Sequence, residues 1–172
     1  MPATDMPVDS SALYEELATT GTLDRVQALI QGGADVNVTG GQGLSMGKTP
    51  LIARAEFGQT KFVKMLIAAG ANTRASCFLN TVWSGNAAQW ADKFHEGDYM
   101  NCIWLLLNPA AAKAEFDAEQ AQAEAAGLSV GEWYKTPAAA SHEKKRYNSL
   151  EWYQEWQAEL ERSKARLPMV SY

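Results

Sequence analysis

Apolar residues in the first part of the chain recur at helical spacing. Leu23, Val26, Leu29 and Ile30 stand at i, i+3, i+6 and i+7, one stripe of an amphipathic helix. Phe62, Met65, Leu66 and Ala69 repeat that stripe further on. Each run closes at a glycine, Gly33 or Gly70, where a left-handed residue is needed to turn the chain out of a helix. A shorter helix precedes the second run. Thr49 supplies a side-chain cap for it, and Pro50 at its first position gives up no hydrogen bond. The pattern predicts a repeating unit of helix, tight turn, second helix and extended loop.

The two copies are in register at two anchors. Gly33 and Gly70 are 37 residues apart, and so are Gly21 and Gly58. A third, more divergent copy follows, with Gly97 39 residues after Gly58 and then Cys102, Leu105 and Leu106. Self-similarity at this period is the signature of a stacked repeat array.

Lys48-Thr49-Pro50-Leu51-Ile52-Ala53 resembles the Thr-Pro-Leu-His opening of an ankyrin repeat, with Ile52 where histidine usually stands. Gln31-Gly32-Gly33-Ala34-Asp35-Val36-Asn37 is similar to the ending of that repeat. The resemblance implies an all-α ankyrin-repeat solenoid of about three helix-turn-helix units, over about 11–38, 39–73 and 74–108. Residues 1–10 are expected to form an N-terminal arm. The opening of the first unit and most of the third depart from the pattern, as terminal repeats commonly do. The spacings exceed the period of roughly 33 residues, so a few residues are inserted in each loop. In such an array these are finger loops. The first carries Leu44 and Met46, and the second carries Phe78, Leu79 and Trp83 in what is expected to be an exposed loop. These five residues are candidate partner contacts.

Beyond Pro109 the repeats stop, and 109–172 reads as a helical C-terminal extension. An Ala-rich helix is expected over about 110–126, ending at Gly127. Residues 127–140 read as a linker, in which Ser129 and Glu132 have the spacing of a capping box. A second long helix is expected over about 141–167. Its middle holds Tyr147, Trp152, Tyr153 and Trp156, also candidate partner contacts, because Trp and Tyr dominate interface hot spots. The first of these helices is the nearest cover for the apolar outer face of the third unit. The aromatic helix then either folds back onto the open end of the third unit or anchors a partner across the linker. The partner role is expected, and a chain cut after Gly127 is expected to remain folded.

Composition narrows the function classes. Fifteen basic against twenty acidic residues give a net charge of −5, without the positive footprint of a general nucleic-acid binder. The longest apolar run, Ile103 to Leu107, is far short of a membrane span. The N-terminus resembles neither a secretory signal nor a transit peptide. With only Cys77 and Cys102, a disulfide scaffold is not expected, and a cytoplasmic location is.

Motifs with chemical potential are few. Gly43 to Thr49 resembles a phosphate-binding loop, but the position five before Gly47 is Gln42, and Thr49-Pro50 already opens a helix. Cys77, His95, Cys102 and His142 have no zinc-site spacing. The run Lys144-Lys145-Arg146 is flanked by Glu143 and Glu151 and reads as a solvated helix face. No nucleophile has an identifiable partner. The expectation is a non-enzymatic protein-interaction module without metal or cofactor, an accessory or scaffolding subunit of a stable assembly. A transient regulatory binder is the alternative, and a nucleotide binder using residues 40–49 a weaker third.

Overall fold

The computed structural model describes residues 10–40, 47–79, 83–142 and 151–166. Among the described residues it is mostly helical, 68% helix, with one two-stranded sheet. The first unit comprises α1 (Ser10–Glu15), a π-helical turn (Glu16–Thr20) and α2 (Leu23–Gln31). The second holds α3 (Pro50–Glu56) and α4 (Thr60–Ala68), and the third α5 (Ala87–Phe94) and α6 (Tyr99–Leu107). Thr49 caps α3 by accepting from the Ile52 amide, with Pro50 in the first turn, as the sequence predicts.

The units stack in two layers. The π turn, α3 and α5 pack side by side, and α2, α4 and α6 form a second row behind them. Leu51, Ile52, Val63, Leu66, Trp90, Ile103 and Leu105 fill the space between, none more than 1% exposed. At the helix-turn end, units two and three meet backbone to backbone. The amide of Asp98 donates to Gly58 O at 3.1 Å, and a Cβ on Gly58 would lie 2.0 Å from Glu96 O. Gly58 and Gly97 also take φ of +65° and +54°, which a larger residue resists.

The joint between units one and two is polar. Arg54 on α3 is 1% exposed. Its guanidinium donates to the carbonyls of Leu17 (2.8 Å), Gly21 (3.0 Å) and Glu16 (3.2 Å), and to Gln59 Oε1 (3.0 Å). A π turn widens the helix and turns its last carbonyls away from regular partners. Arg54 takes those carbonyls up, and its flat face rests 3.6 Å from the centre of the Phe62 ring. The loops after α2 and α4 are joined too, by the Asn72 amide donating to Asn37 Oδ1 at 2.8 Å.

The second finger is not an irregular loop. Ser76–Phe78 (β1) and Ser84–Asn86 (β2) form an antiparallel hairpin, Cys77 facing Gly85 and Phe78 facing Ser84. Alternation explains it, because Cys77 points into the core while Ser76 and Phe78 point out. The first finger, with Leu44 and Met46, lies outside the described residues, between the paired Gly40 and Lys48.

The extension also departs from expectation. Helix α7 (Pro109–Ala125) packs chiefly on α4, and less on α6, so it runs back across the second unit. Residues 127–140 are not a free linker. They fold into α8 (Val130–Trp133) and the start of α9 (Pro137–His142), and α8 packs on α2 and α7. Val130 and Trp133 are each 3% exposed, beneath the same cluster as Leu17, Val26, Met65 and Phe116. The capping box at Ser129 and Glu132 is present as predicted. Of the second long helix, Glu151–Arg166 is observed as α10, whereas 143–150, including Tyr147, lie outside the described residues. Among the described residues no helix is long and apolar enough to cross a membrane.

A candidate protein-binding surface

The hairpin is held from below by Trp90. This ring is fully buried, and its indole N–H donates to Cys77 O at 3.3 Å. Trp83 stands edge-on to Trp90 at 5.3 Å between centroids, and Phe94 stacks on the other side at 5.7 Å. The Leu79 amide donates to Trp83 O at 3.0 Å and closes the hairpin. Leu79 and Trp83 are therefore partly buried against the core, while Phe78 on the outward face is 62% exposed. The three residues that sequence reading grouped together thus divide. Two brace the hairpin, and one is offered to solvent.

Helix α10 lies against α5 on the open side of unit three. Trp152, Tyr153 and Trp156 are partly buried against the main core, and the Tyr153 hydroxyl donates to Asp92 Oδ1. Burial and that bond to a carboxylate push the phenol well above its ordinary range. These contacts match the fold-back reading of the aromatic helix rather than a helix left free for a partner.

The docking leaves a gap. A cleft of about 480 Å³ separates the hairpin from the later turns of α10, lined by Trp83, Ser84, Gln89, Asp92, Lys93, Leu160 and Lys164. The Lys93 ammonium lies 4.8 Å from the centre of the Trp83 ring, and Lys164 pairs with Glu161 at the surface. Phe78 faces Ser84 across the hairpin, and facing residues project on the same side of a sheet. Phe78 therefore rises at the margin of the cleft. The arrangement has an aromatic wall, an exposed aromatic rim, two ammonium groups and the Asp92 carboxylate.

The other chemical motifs resolve into structure. Lys48, the lysine of the glycine-rich loop, pairs with Glu56 at 2.6 Å and lies 4.4 Å from the centre of the Trp90 ring. Neither partner is much exposed, so Lys48 fixes the start of α3 from within. Burial raises the thiol of Cys77, whose Sγ bonds Phe78 O, and the thiol of Cys102, which sits in the core. His95 stacks on Tyr99 at 4.4 Å beside Asp92. Among the described residues, no three His, Cys, Asp or Glu side chains gather as a metal site requires.

Sequence reading missed the polar joints. Lys64 and Glu119 form a buried ion pair at 2.6 Å, and the Tyr134 hydroxyl donates to the same carboxylate. The clue was Lys64 itself, a charge inside the apolar stretch Phe62 to Ile67. No protein-family profile, curated protein or solved structure matches this chain.

Proposed function

We propose that the protein is a non-enzymatic interaction module built on an ankyrin-type array, serving as an accessory or scaffolding subunit of a multiprotein assembly. Gly33 and Gly70, 37 residues apart, share left-handed φ of +88° and +93°, and Gly58 and Gly97 share positive φ, whereas Gly21, 37 residues before Gly58, is extended with φ −68°. The shared geometry at Gly33 and Gly70, with the Asn37–Asn72 bond that joins the loops following them, supports the repeat reading.

The observation that carries the binding role is Phe78. It is the most exposed large apolar side chain among the described residues, held on a braced hairpin beside an unfilled cleft. An exposed aromatic on a rigid support loses little entropy on binding and anchors interfaces well. Trp83 and Leu160 complete the apolar surface, and the partner is a protein segment with apolar side chains.

Co-purification from the native source tests this reading. Tagged wild-type chain is expected to bring down stoichiometric partner chains, and Phe78→Asp to lose them while melting at the wild-type temperature. Undiminished partner recovery with Phe78→Asp sinks the assignment of this surface.

A further inference from the structure

Ser129 links the C-terminal extension to the first unit, and its surroundings suit a switch. Its hydroxyl donates to Asp24 Oδ2 at 3.0 Å and accepts from the Glu132 amide at 3.1 Å. The other Asp24 oxygen accepts the Gly131 amide at 2.8 Å. The Glu132 carboxylate in turn accepts the Ser129 amide at 2.9 Å. Two carboxylates therefore flank one partly exposed hydroxyl. The contact is close, since a Cβ on Gly131 would stand 2.6 Å from Asp24 Oδ2.

Ser129 is also singular in the sequence. It is the only serine or threonine in the chain with an acidic residue three positions later. A carboxylate at that position is what acidophilic serine kinases read. We propose that Ser129 is a phosphorylation site whose modification detaches α8 from the first unit. In the transfer, Ser129 Oγ attacks the γ-phosphorus of ATP held by such a kinase. An Oγ–P bond forms, the bond from that phosphorus to the bridging oxygen breaks, and ADP departs. The hydroxyl proton goes to the kinase base.

The consequence follows from charge and from the lost hydrogen. The modified Oγ has no proton left to donate, so the bond to Asp24 is removed. A phosphate near −2 then stands between the Asp24 and Glu132 carboxylates. A phosphate at a helix start is ordinarily favourable, but α8 has four residues, and its free amides are already taken by Asp24 and Ser129 itself. Repulsion decides the outcome. Detachment uncovers Val130 and Trp133, and with them the Leu17 and Val26 side of the first unit. The modification thereby converts a closed apolar joint into an exposed docking face.

The test uses the full chain, ATP and an acidophilic serine kinase, read by peptide mapping and amide hydrogen exchange. One phosphate is expected on Ser129, with exchange over 128–134 and α2 accelerated about tenfold or more. Ser129→Ala should take up no phosphate in this segment and retain slow exchange through the Asp24–Gly131 bond. Phosphorylated Asp24→Asn should exchange more slowly than phosphorylated wild type, because the amide donates to the phosphate and removes one repelling charge. Phosphate on Ser129 with unaltered exchange overturns the switch. Failure of the full chain to accept phosphate at Ser129, when a peptide spanning 124–135 accepts it, overturns the site.

Discussion

Lys64 and Glu119 meet at 2.6 Å across 55 residues of chain, and both side chains are almost entirely removed from water. One belongs to the outer helix of the second unit and the other to α7, so the pair fastens the extension to the array. Tyr134 donates to the second Glu119 oxygen, and its ring lies beneath the Lys64 and Lys61 ammonium groups.

Breaking one side of this pair leaves a buried charge uncompensated. Lys64→Met is expected to destabilise the fold by about 3–5 kcal/mol. Replacing both partners, as Lys64→Met with Glu119→Gln, removes both charges and should be milder than Lys64→Met alone. Urea melts of the two variants check this. Equal losses would mean the pair carries no coupling.

Arg54 is expected to be less replaceable. Among the described residues it has no carboxylate partner, and burial brings its pKa down to about 10. The charge is held by carbonyls of the π turn and by Gln59. Arg54→Met keeps much of the volume but strands several carbonyls, each costing roughly 1–3 kcal/mol when buried without a donor. A loss of at least about 3 kcal/mol is the expected result by thermal or urea denaturation. Arg54→Lys should also fall short, since an ammonium does not reproduce the guanidinium fork.

The fold was legible where periodicity and turn chemistry speak together. Thr49-Pro50, Gly70 and the Phe62 stripe each specify one local geometry, and the structure has it. Ser129 and Glu132 announced their cap. The hairpin was hidden because Ser76-Cys77-Phe78 is too short to reveal alternation. The course of the extension was hidden for a different reason. Its alanines mark a helix without marking a partner, and the contacts that place it join residues 55 and 105 positions apart. At the candidate surface, residue type identified Phe78, Trp83 and Trp156. Whether each faces core or solvent depends on Trp90 and Asp92, which no local pattern connects to them.

Alkaline stability offers a further check. Tyr14 is 5% exposed, and burial, with Glu15 nearby, pushes its phenol up to about 12 from an ordinary value near 10. The folded state therefore holds the proton more tightly than the unfolded state. The stability linked to Tyr14 is fully present below pH 10 and is lost as pH rises through 12. The loss attributable to this group is about 2–3 kcal/mol. Tyr14→Phe should flatten that part of the decline, as measured by urea midpoints between pH 9 and 12. An identical decline in the variant would assign the effect to other groups.

Stepwise truncation separates the extension's support of the array from its part in binding. Ending the chain at residue 142 removes α10 but keeps α7, α8 and both polar joints. This chain should stay folded, with α5 less covered and one wall of the cleft missing. Ending at Gly127 also removes Val130, Trp133 and Tyr134. Leu17 and Val26 then lose their cover, Asp24 loses both donors, and Glu119 loses its phenol. Loss of a buried tryptophan alone costs about 3–5 kcal/mol, so the 1–127 chain should melt well below 1–142. That result reverses the sequence expectation that a chain cut there is self-sufficient. Ending at Asn108 removes Glu119 as well, leaves Lys64 unpaired and exposes Met65, and is expected to give an aggregating chain. Circular dichroism melts rank the four lengths, and co-purification reports binding. Loss of partners from a folded 1–142 chain assigns α10 to the interface, whereas full recovery confines the interface to the hairpin and the repeats.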